Sequence, residues 1–427
     1  MEDKDLQKSE FERLREVLGK DEFKKQFGAT YSKDETTGIF HLNKYFDVPI
    51  IEQINAIKEK ESPKELHVHI PILLEDEDFF HYFDLSNCVF FEPVRIYRCK
   101  FEEIILIRNS IFKGEFNIGD NIFKKNVKFH ESIFEEGIKM ENTEFHGLAD
   151  FYSVTFNAPQ QFYKTDFLDI TIFSNAIFEK PAQWLYNKVS SKTIISFENA
   201  IFKDGIDISR ANFFCKVTFW GVSVNPLIPN DLTFFLEGDE KEEKIKEQIA
   251  LKRIRESYRK IKQVFISESN IIDSLTFKSK EMEVYWREMK KRKNIESSIL
   301  LKHESINFSY SEYFTLLLAN VSNHFGRSWT RALGFILGIN LVGYLIILIC
   351  AFFAKDTSFC FTPKCLGNLC DGYVELLNVT NWKFDFYGLN SESSESSGLY
   401  AFVFFCRIFI GYGIFQMITA FRKFGKS

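Results

Sequence analysis

The residue with the greatest chemical consequence is Arg407, which stands within an otherwise uncharged stretch of 23 residues, Gly398 to Ala420. A charge near the middle of a membrane span costs several kcal/mol and usually marks a pairing or a functional site. We therefore interpret Arg407 as a pore-lining or assembly residue, with Asn340, Gln416 and backbone carbonyls as candidate partners. The alternative is a shorter span that begins near Ile408 and leaves Arg407 at the membrane interface.

Three histidines lie close together in the sequence. His67 and His69 alternate within a strand-like segment and so share one face, and His81 follows nearby. A metal site needs three or four ligands, and the sequence indicates neither a third nor a fourth. We therefore expect ordinary surface imidazoles and predict no metal site.

Three of the eight cysteines cluster: Cys360, Cys365 and Cys370. The chain has no C-x-x-C motif, which argues against zinc and thioredoxin-type chemistry. If the segment faces an oxidising compartment, two of the three are candidates for a disulfide.

Catalytic motifs are missing from the sequence. It has no P-loop, Rossmann glycine pattern, H-E-x-x-H or G-x-S-x-G. We therefore expect no enzyme activity, no catalytic residues and no cofactor. The net charge of −5 is too small to imply a nucleic-acid partner.

The elements that surround these residues are dominated by a phenylalanine repeat. A phenylalanine recurs every eleven residues, and we call these the main positions. A second apolar residue follows each main position six residues later. The pattern slips by two residues between Tyr186 and Thr193 and then resumes. The main positions are Phe90, Phe101, Phe112, Phe123, Phe134, Phe145, Phe156, Phe167 and Phe178, and the later ones include Phe202 and Phe213.

Alternating steps of six and five residues do not stay on one face of a helix. They fit a solenoid in which each large residue points inward from a short flat face. The residue two positions earlier, such as Ser132 or Asn121, is usually small or polar and shares that interior, because side chains alternate along a strand.

The stretches NSIFKGEFNI, ESIFEEGIKM and ENAIFKDGIDI resemble the pentapeptide-repeat family over residues 86–222. The resemblance implies a mainly β protein, a right-handed quadrilateral β-helix of about six coils with two eleven-residue units in each coil. It also implies that the repeated phenylalanines fill the core. Some soluble members mimic DNA, but the near balance of acidic and basic residues here argues against this.

The flanking regions have different patterns. Residues 1–85 are expected to form a charged helix and a cap over the first coil, and residues 239–310 a helical hairpin linker with charged faces. Residues 311–427 are expected to form a membrane domain that begins with an interfacial helix at 311–325.

Two apolar stretches, 332–354 and 398–420, are each long enough to cross a bilayer. Basic residues flank both, whereas the loop 355–397 between them is acidic, so the positive-inside rule places both termini in the cytoplasm. The charged N-terminus is not a signal peptide. Gly334 and Gly338 form a G-x-x-x-G motif that permits close helix contact.

The segment RIFIGYGIFQMITAFRKFGK resembles the C-terminus of bacterial membrane-anchored pentapeptide-repeat proteins, some of which carry potassium-channel-like spans. The matching loop, YVELLNVTNWKFDFYG, lacks a T-V-G-Y-G filter, so the ion-channel-like region is degenerate. The architecture, a rigid solenoid followed by a helical linker and two spans, predicts a homo-oligomeric binding or sensing scaffold in the bacterial inner membrane, with an unknown protein partner on the β-helix. The alternative is a channel-like or membrane-permeabilising protein whose second span lines a pore gated by the cytoplasmic rod.

Overall fold

The structure is a computed structural model that describes residues 10–46, 48–236, 246–298, 309–353, 363–380 and 397–421. The chain divides into two compact units, Met1–Val264 and Phe265–Ser427. The first holds the β-solenoid and the second is helical. Helix accounts for 41% of the protein, so the prediction of a mainly β fold was too narrow.

The first unit opens with a small α/β region ahead of the solenoid. Buried Phe23, Phe27 and Phe46 pack together there, with ring centroids 5.4 to 5.8 Å apart. The elements are α1 (Glu10–Leu18), α2 (Lys20–Gly28), β1 (Tyr31–Lys33), β2 (Phe40–Leu42) and α3 (Ile50–Glu61).

Short parallel strands then wind into successive coils. The first three coils contain β3 (Leu66–Val68), β4 (Ile72–Glu75), β5 (Asp78–Phe79), β6 (Phe83–Asp84), β7 (Cys88–Phe90), β8 (Val94–Tyr97), β9 (Lys100–Phe101), β10 (Ile105–Leu106), β11 (Ile111–Phe112), β12 (Phe116–Gly119), β13 (Ile122–Phe123) and β14 (Val127–Lys128).

The later coils continue the same order of faces. They contain β15 (Ile133–Phe134), β16 (Ile138–Glu141), β17 (Glu144–Phe145), β18 (Ala149–Asp150), β19 (Thr155–Phe156), β20 (Gln160–Tyr163), β21 (Asp166–Phe167), β22 (Thr171–Ile172), β23 (Ile177–Phe178), β24 (Ala182–Leu185), β25 (Ile194–Ser196), β26 (Ile201–Phe202), β27 (Ile206–Asp207), β28 (Lys216–Thr218) and β29 (Ser223–Val224).

Four sheets form the four faces that the resemblance to pentapeptide-repeat proteins implied. Phe112 pairs with Phe134 and Phe123 with Phe145, an offset of 22 residues, so two eleven-residue units make one coil. The solenoid has about eight turns rather than about six. Residues 66–85, predicted to belong to the cap, form a coil of their own, because Phe79 extends the eleven-residue spacing back from Phe90 and pairs with Phe101.

Columns of stacked rings fill the core. The main-position phenylalanines form two of them, and the second positions form a third, with Phe129, Phe151, Phe173, Phe197 and Phe219. Ring centroids of successive phenylalanines along each column lie between 4.6 and 5.9 Å apart. This offset stacking adds to the free energy gained by burying each ring. The predicted core residues Phe101, Phe112, Phe123, Phe134, Phe145, Phe156, Phe167, Phe178 and Phe202 are each at most 3% exposed.

Phe213 is the exception, since it is only half-buried and lies outside the strands. Phe213 follows Phe202 by eleven residues, so the repeat spacing alone still assigns it to the core. The face on which it would lie ends with Phe167 and continues only as a single bridge to Val189. No strand therefore carries Phe213 into a column.

One corner residue in every eleven adopts a left-handed backbone conformation, from Asp76 to Tyr186. Asn and Asp tolerate this region better than other non-glycine residues. Several corners nevertheless carry Arg98, Glu131 or Lys164, with φ of 53°, 55° and 48°. Local backbone strain is therefore distributed along the solenoid.

Helix α4 (Lys246–Ser267) covers the C-terminal end of the solenoid. The Lys260 ammonium donates to the carbonyl oxygens of Ile208, Ser209 and Ala211 at 3.1, 2.9 and 3.0 Å. Burial lowers the pKa of Lys260. The first helix of the predicted linker is thus a cap whose side chains satisfy backbone groups of the last coil.

The described part of the second unit consists mainly of helices. They are α5 (Ile271–Ser298), α6 (Tyr310–Asn323), α7 (Trp329–Phe353), α8 (Pro363–Leu377) and α9 (Ser397–Phe421). Helix α6 coincides with the predicted interfacial helix. Helix α8 lies within the segment 355–397, which was predicted to be a loop, and it packs on α7 and α9 through buried Leu376.

Candidate functional site

Helices α7 and α9 are the two described helices long and apolar enough to cross a membrane, over Trp329–Cys350 and Tyr400–Phe421. Length and composition alone are weak evidence, because core helices of soluble proteins pass the same test. Here only 28% of the positions in the most apolar window of each helix are buried. Their apolar side chains are mostly on the surface, unlike those of a core helix.

Arg407 lies at the middle of α9, ten residues from Ser397, which is about 15 Å along the helix axis. Its guanidinium Nη2 donates to the backbone carbonyl of Glu375 at 3.0 Å and lies 3.6 Å from Glu375 Oε1. The two side chains are 9% and 19% exposed. The pairing with a backbone carbonyl agrees with the sequence analysis, which missed the Glu375 carboxylate.

Asn340 is fully buried on α7, and its Nδ2 donates to the Tyr373 carbonyl at 3.0 Å. Asn340 and Arg407 thus bind carbonyls two residues apart at the end of α8. A helix leaves its last four carbonyls without intrahelical donors. Glu375 is one of these four residues, and its carbonyl also accepts from the Asn378 N–H at 3.1 Å, whereas Tyr373 lies earlier in the helix. The two side-chain hydrogen bonds hold α8 between α7 and α9.

Gln416 does not contact Arg407 in this arrangement. Its side-chain oxygen accepts from Asn323 Nδ2 at 2.5 Å, and its backbone carbonyl accepts from the same nitrogen at 3.2 Å. Asn323 is the last residue of α6 and is buried. Gln416 therefore joins α9 to α6.

Gly334 and Gly338 lie on an exposed face of α7, where an added Cβ would meet no atom within 4 Å. The close approaches within this unit occur at other glycines. A Cβ at Gly343 would lie 2.9 Å from Cys406 Sγ, one at Gly372 would lie 2.6 Å from the Tyr344 hydroxyl, and one at Gly413 would lie 2.6 Å from Ile336. The G-x-x-x-G motif is thus on the surface of α7 and does not mediate these close helix contacts.

The predicted disulfide lies mostly outside the described residues. Cys360 is not described, and of Cys365 only the backbone is described, within α8. Cys370 is an exposed free thiol. The pairing of two of Cys360, Cys365 and Cys370 stays a prediction.

The histidines are arranged differently from the sequence expectation. His67 and His69 are joined by His41 rather than by His81, and ligand nitrogens of the three lie within 4.8 Å of one another. Burial and the neighbouring imidazoles lower the pKa of His69. The parallel pairing of β2 with β3, which the sequence pattern did not predict, brings His41 beside His67.

A family model described as pentapeptide repeats, in nine copies, matches residues 141–184. These residues run from the end of β16 to Trp184 in β24 and lie wholly within the solenoid. The comparisons with curated proteins and with solved structures gave no match. The matched segment is a pentapeptide-repeat β-solenoid, in agreement with the resemblance seen in the sequence.

Proposed function

We propose that this pentapeptide-repeat β-solenoid protein is a non-enzymatic binding or sensing scaffold, anchored by α7 and α9 in the bacterial inner membrane. The observation that supports a membrane anchor is the apolar surface of these two helices. Large side chains such as Leu341, Ile349, Phe405 and Phe415 are between 51% and 62% exposed. A surface of this kind in water would favour aggregation, whereas lipid chains or another copy would cover it.

The orientation follows from charge. Arg327 and Arg331 precede the first span, and Arg422, Lys423 and Lys426 follow the second. The positive-inside rule then places the solenoid and both termini in the cytoplasm. The solenoid would present its polar faces to a protein partner there.

Assembly into a homo-oligomer is supported by the outward face of α7. Gly334 and Gly338 leave a shallow strip between exposed Leu333, Leu337 and Leu341. Small residues of this kind allow two spans to approach closely. The buried Arg407–Glu375 pair then has a structural role within each copy, because it holds α8 in place.

A channel-like function is the alternative, favoured by one observation: a helix, α8, is docked between the two long apolar helices. In this version α9 would line a pore, and the solenoid would gate it. The two functions share one architecture and differ in ion conduction.

Reconstitution of the purified full-length chain into liposomes tests both. We expect the protein to resist extraction at alkaline pH, to cross-link as an oligomer and to conduct no ions. Gly338→Leu should reduce cross-linking, with Val342→Leu as a control on the same exposed face. Extraction by alkali would contradict the membrane anchor.

Ion flux that Arg407→Leu changes and Arg331→Leu leaves unchanged would favour the channel. Arg331 is the matched control because it is an exposed cation near the start of α7. Absence of flux in an oligomeric, folded preparation would support the scaffold.

A further inference from the structure

We propose that His41, His67 and His69 bind one divalent transition-metal ion, for which zinc is the best-fitting candidate. One nitrogen from each ring lies within 4.8 Å of the other two. The site is at the N-terminal end of the solenoid, distant in sequence from the helices of the proposed membrane anchor.

The site is built on paired strands. Strands β2 and β3 are parallel, and their register places His41 directly beside His67. His69 follows two residues later on the same face, and its backbone N–H donates to the Leu42 carbonyl at 3.0 Å. The intervening Val68 is fully buried, so the segment that carries both histidines is anchored in the core.

The spacing suits metal ligation. His41 Nδ1 and His69 Nε2 are 3.1 Å apart. Two nitrogens bound tetrahedrally to zinc at 2.0–2.1 Å would be about 3.3 Å apart. The ring centroid of His67 lies 5.0 Å from that of His41, so a small side-chain rotation brings its nitrogen into range.

Neighbouring groups orient two of the rings. The Glu65 carboxylate accepts from His67 Nε2 at 2.5 Å, which leaves the Nδ1 lone pair for a metal. The His69 ring stacks on Phe91 with centroids 4.5 Å apart. A carboxylate behind a ligating histidine fixes the tautomer and raises the basicity of the ligand.

The donor set selects the kind of ion. Imidazole nitrogens suit Zn²⁺, Cu²⁺, Ni²⁺ and Co²⁺, whereas Ca²⁺ and Mg²⁺ prefer oxygen ligands. Three histidines leave one position for water or another ligand. Because His41 and His67 are 26 residues apart, the ion would cross-link the N-terminal region to the first coil and stabilise this junction.

The test is a titration of the full-length chain, purified in detergent without a histidine tag and stripped with a chelator. Co²⁺ is added first, and its visible absorption reports tetrahedral coordination; Zn²⁺ then displaces it. We expect one ion per chain and a higher melting temperature of the solenoid with Zn²⁺. His41→Gln should weaken binding by more than about 100-fold, and Glu65→Gln by about 10- to 100-fold.

His81→Gln is the matched control, because His81 is half-buried in the same coil but outside the cluster. It should bind like the unchanged chain. Circular dichroism without metal checks that each variant is folded, and a misfolded His41→Gln would be replaced by His69→Gln. Equal binding by folded His41→Gln, or no saturable Co²⁺ or Zn²⁺ binding by the unchanged chain, would overturn the proposal.

Discussion

The solenoid and the helical unit both bury polar side chains, but they use them differently. In the solenoid, Ser132 Oγ donates to the Ile107 carbonyl at 2.8 Å and accepts from the Ser110 N–H at 3.1 Å. Asn121 makes the equivalent pair of bonds to the preceding coil, accepting from the Cys99 N–H and donating to the Ile96 carbonyl. In the helical unit, Arg407 and Asn340 instead bind carbonyls at one place, the end of α8.

This difference concerns repetition. A polar contact in the solenoid recurs in coil after coil, so each coil depends chiefly on its neighbours. The buried contacts of the helical unit have no such repeats within its described part. We therefore expect core substitutions to act through ring packing in the solenoid and through unpaired charge in the helical unit.

The largest expected effect is in the stacked core. Phe145→Ala should destabilise the solenoid by about 3–5 kcal/mol, because the fully buried ring leaves a cavity between Phe123 and Phe167. Chemical denaturation followed by circular dichroism measures this. Phe213→Ala is the matched control and should cost clearly less, since Phe213 is half-buried. A loss below about 1 kcal/mol for Phe145→Ala would contradict the stacked-core interpretation.

The next effect concerns the buried pair of the helical unit. Glu375→Leu should destabilise the helical unit by about 3 kcal/mol, because the Arg407 guanidinium stays buried without the Glu375 carboxylate. The double variant Arg407→Leu/Glu375→Leu should recover much of this loss. Thermal unfolding in detergent gives the comparison, with exposed Asp371→Leu as the control. Additive losses in the double variant would show that the two side chains are not coupled.

A smaller effect depends on pH. Burial, and then the charge of Arg327, lowers the pKa of Lys280 on α5 to about 8 from its ordinary 10.5. Between these values the unfolded chain binds more protons than the folded chain, so stability rises as the pH rises. Lys280→Met should flatten this rise and stabilise the unit at pH 7. Exposed Lys278→Met is the control, and an unchanged slope in Lys280→Met would refute the assignment.

The smallest effect is a gain at a solenoid corner. Glu131 is exposed with φ of 55°, a conformation that asparagine tolerates better. Glu131→Asn should therefore stabilise the solenoid by about 1 kcal/mol in the same denaturation assay. Glu135→Asn, at an exposed position without a positive φ, should give no such gain. Equal changes in the free energy of unfolding for the two variants would show that relief of backbone strain is not the cause of the gain.

The sequence alone predicted the solenoid well, because repetition turns one local pattern into a global one. The eleven-residue spacing of phenylalanines specified the inward positions and the two-residue slip, whereas the four faces were implied by the resemblance to pentapeptide-repeat proteins. The same spacing extends one step further towards the N-terminus, to Phe79, so the first coil could also have been predicted from the sequence. The apolar length of the two long helices was likewise visible from composition.

The tertiary structure determined those contacts that a sequence repeat cannot predict. Pairing β2 with β3 placed His41 beside His67 across 26 residues, and docking α8 placed Glu375 beside Arg407. In each case the partners lie on separate elements, and their meeting depends on how those elements pack. A repeat specifies its own neighbours, whereas a single contact between distant elements is fixed only when the chain has folded.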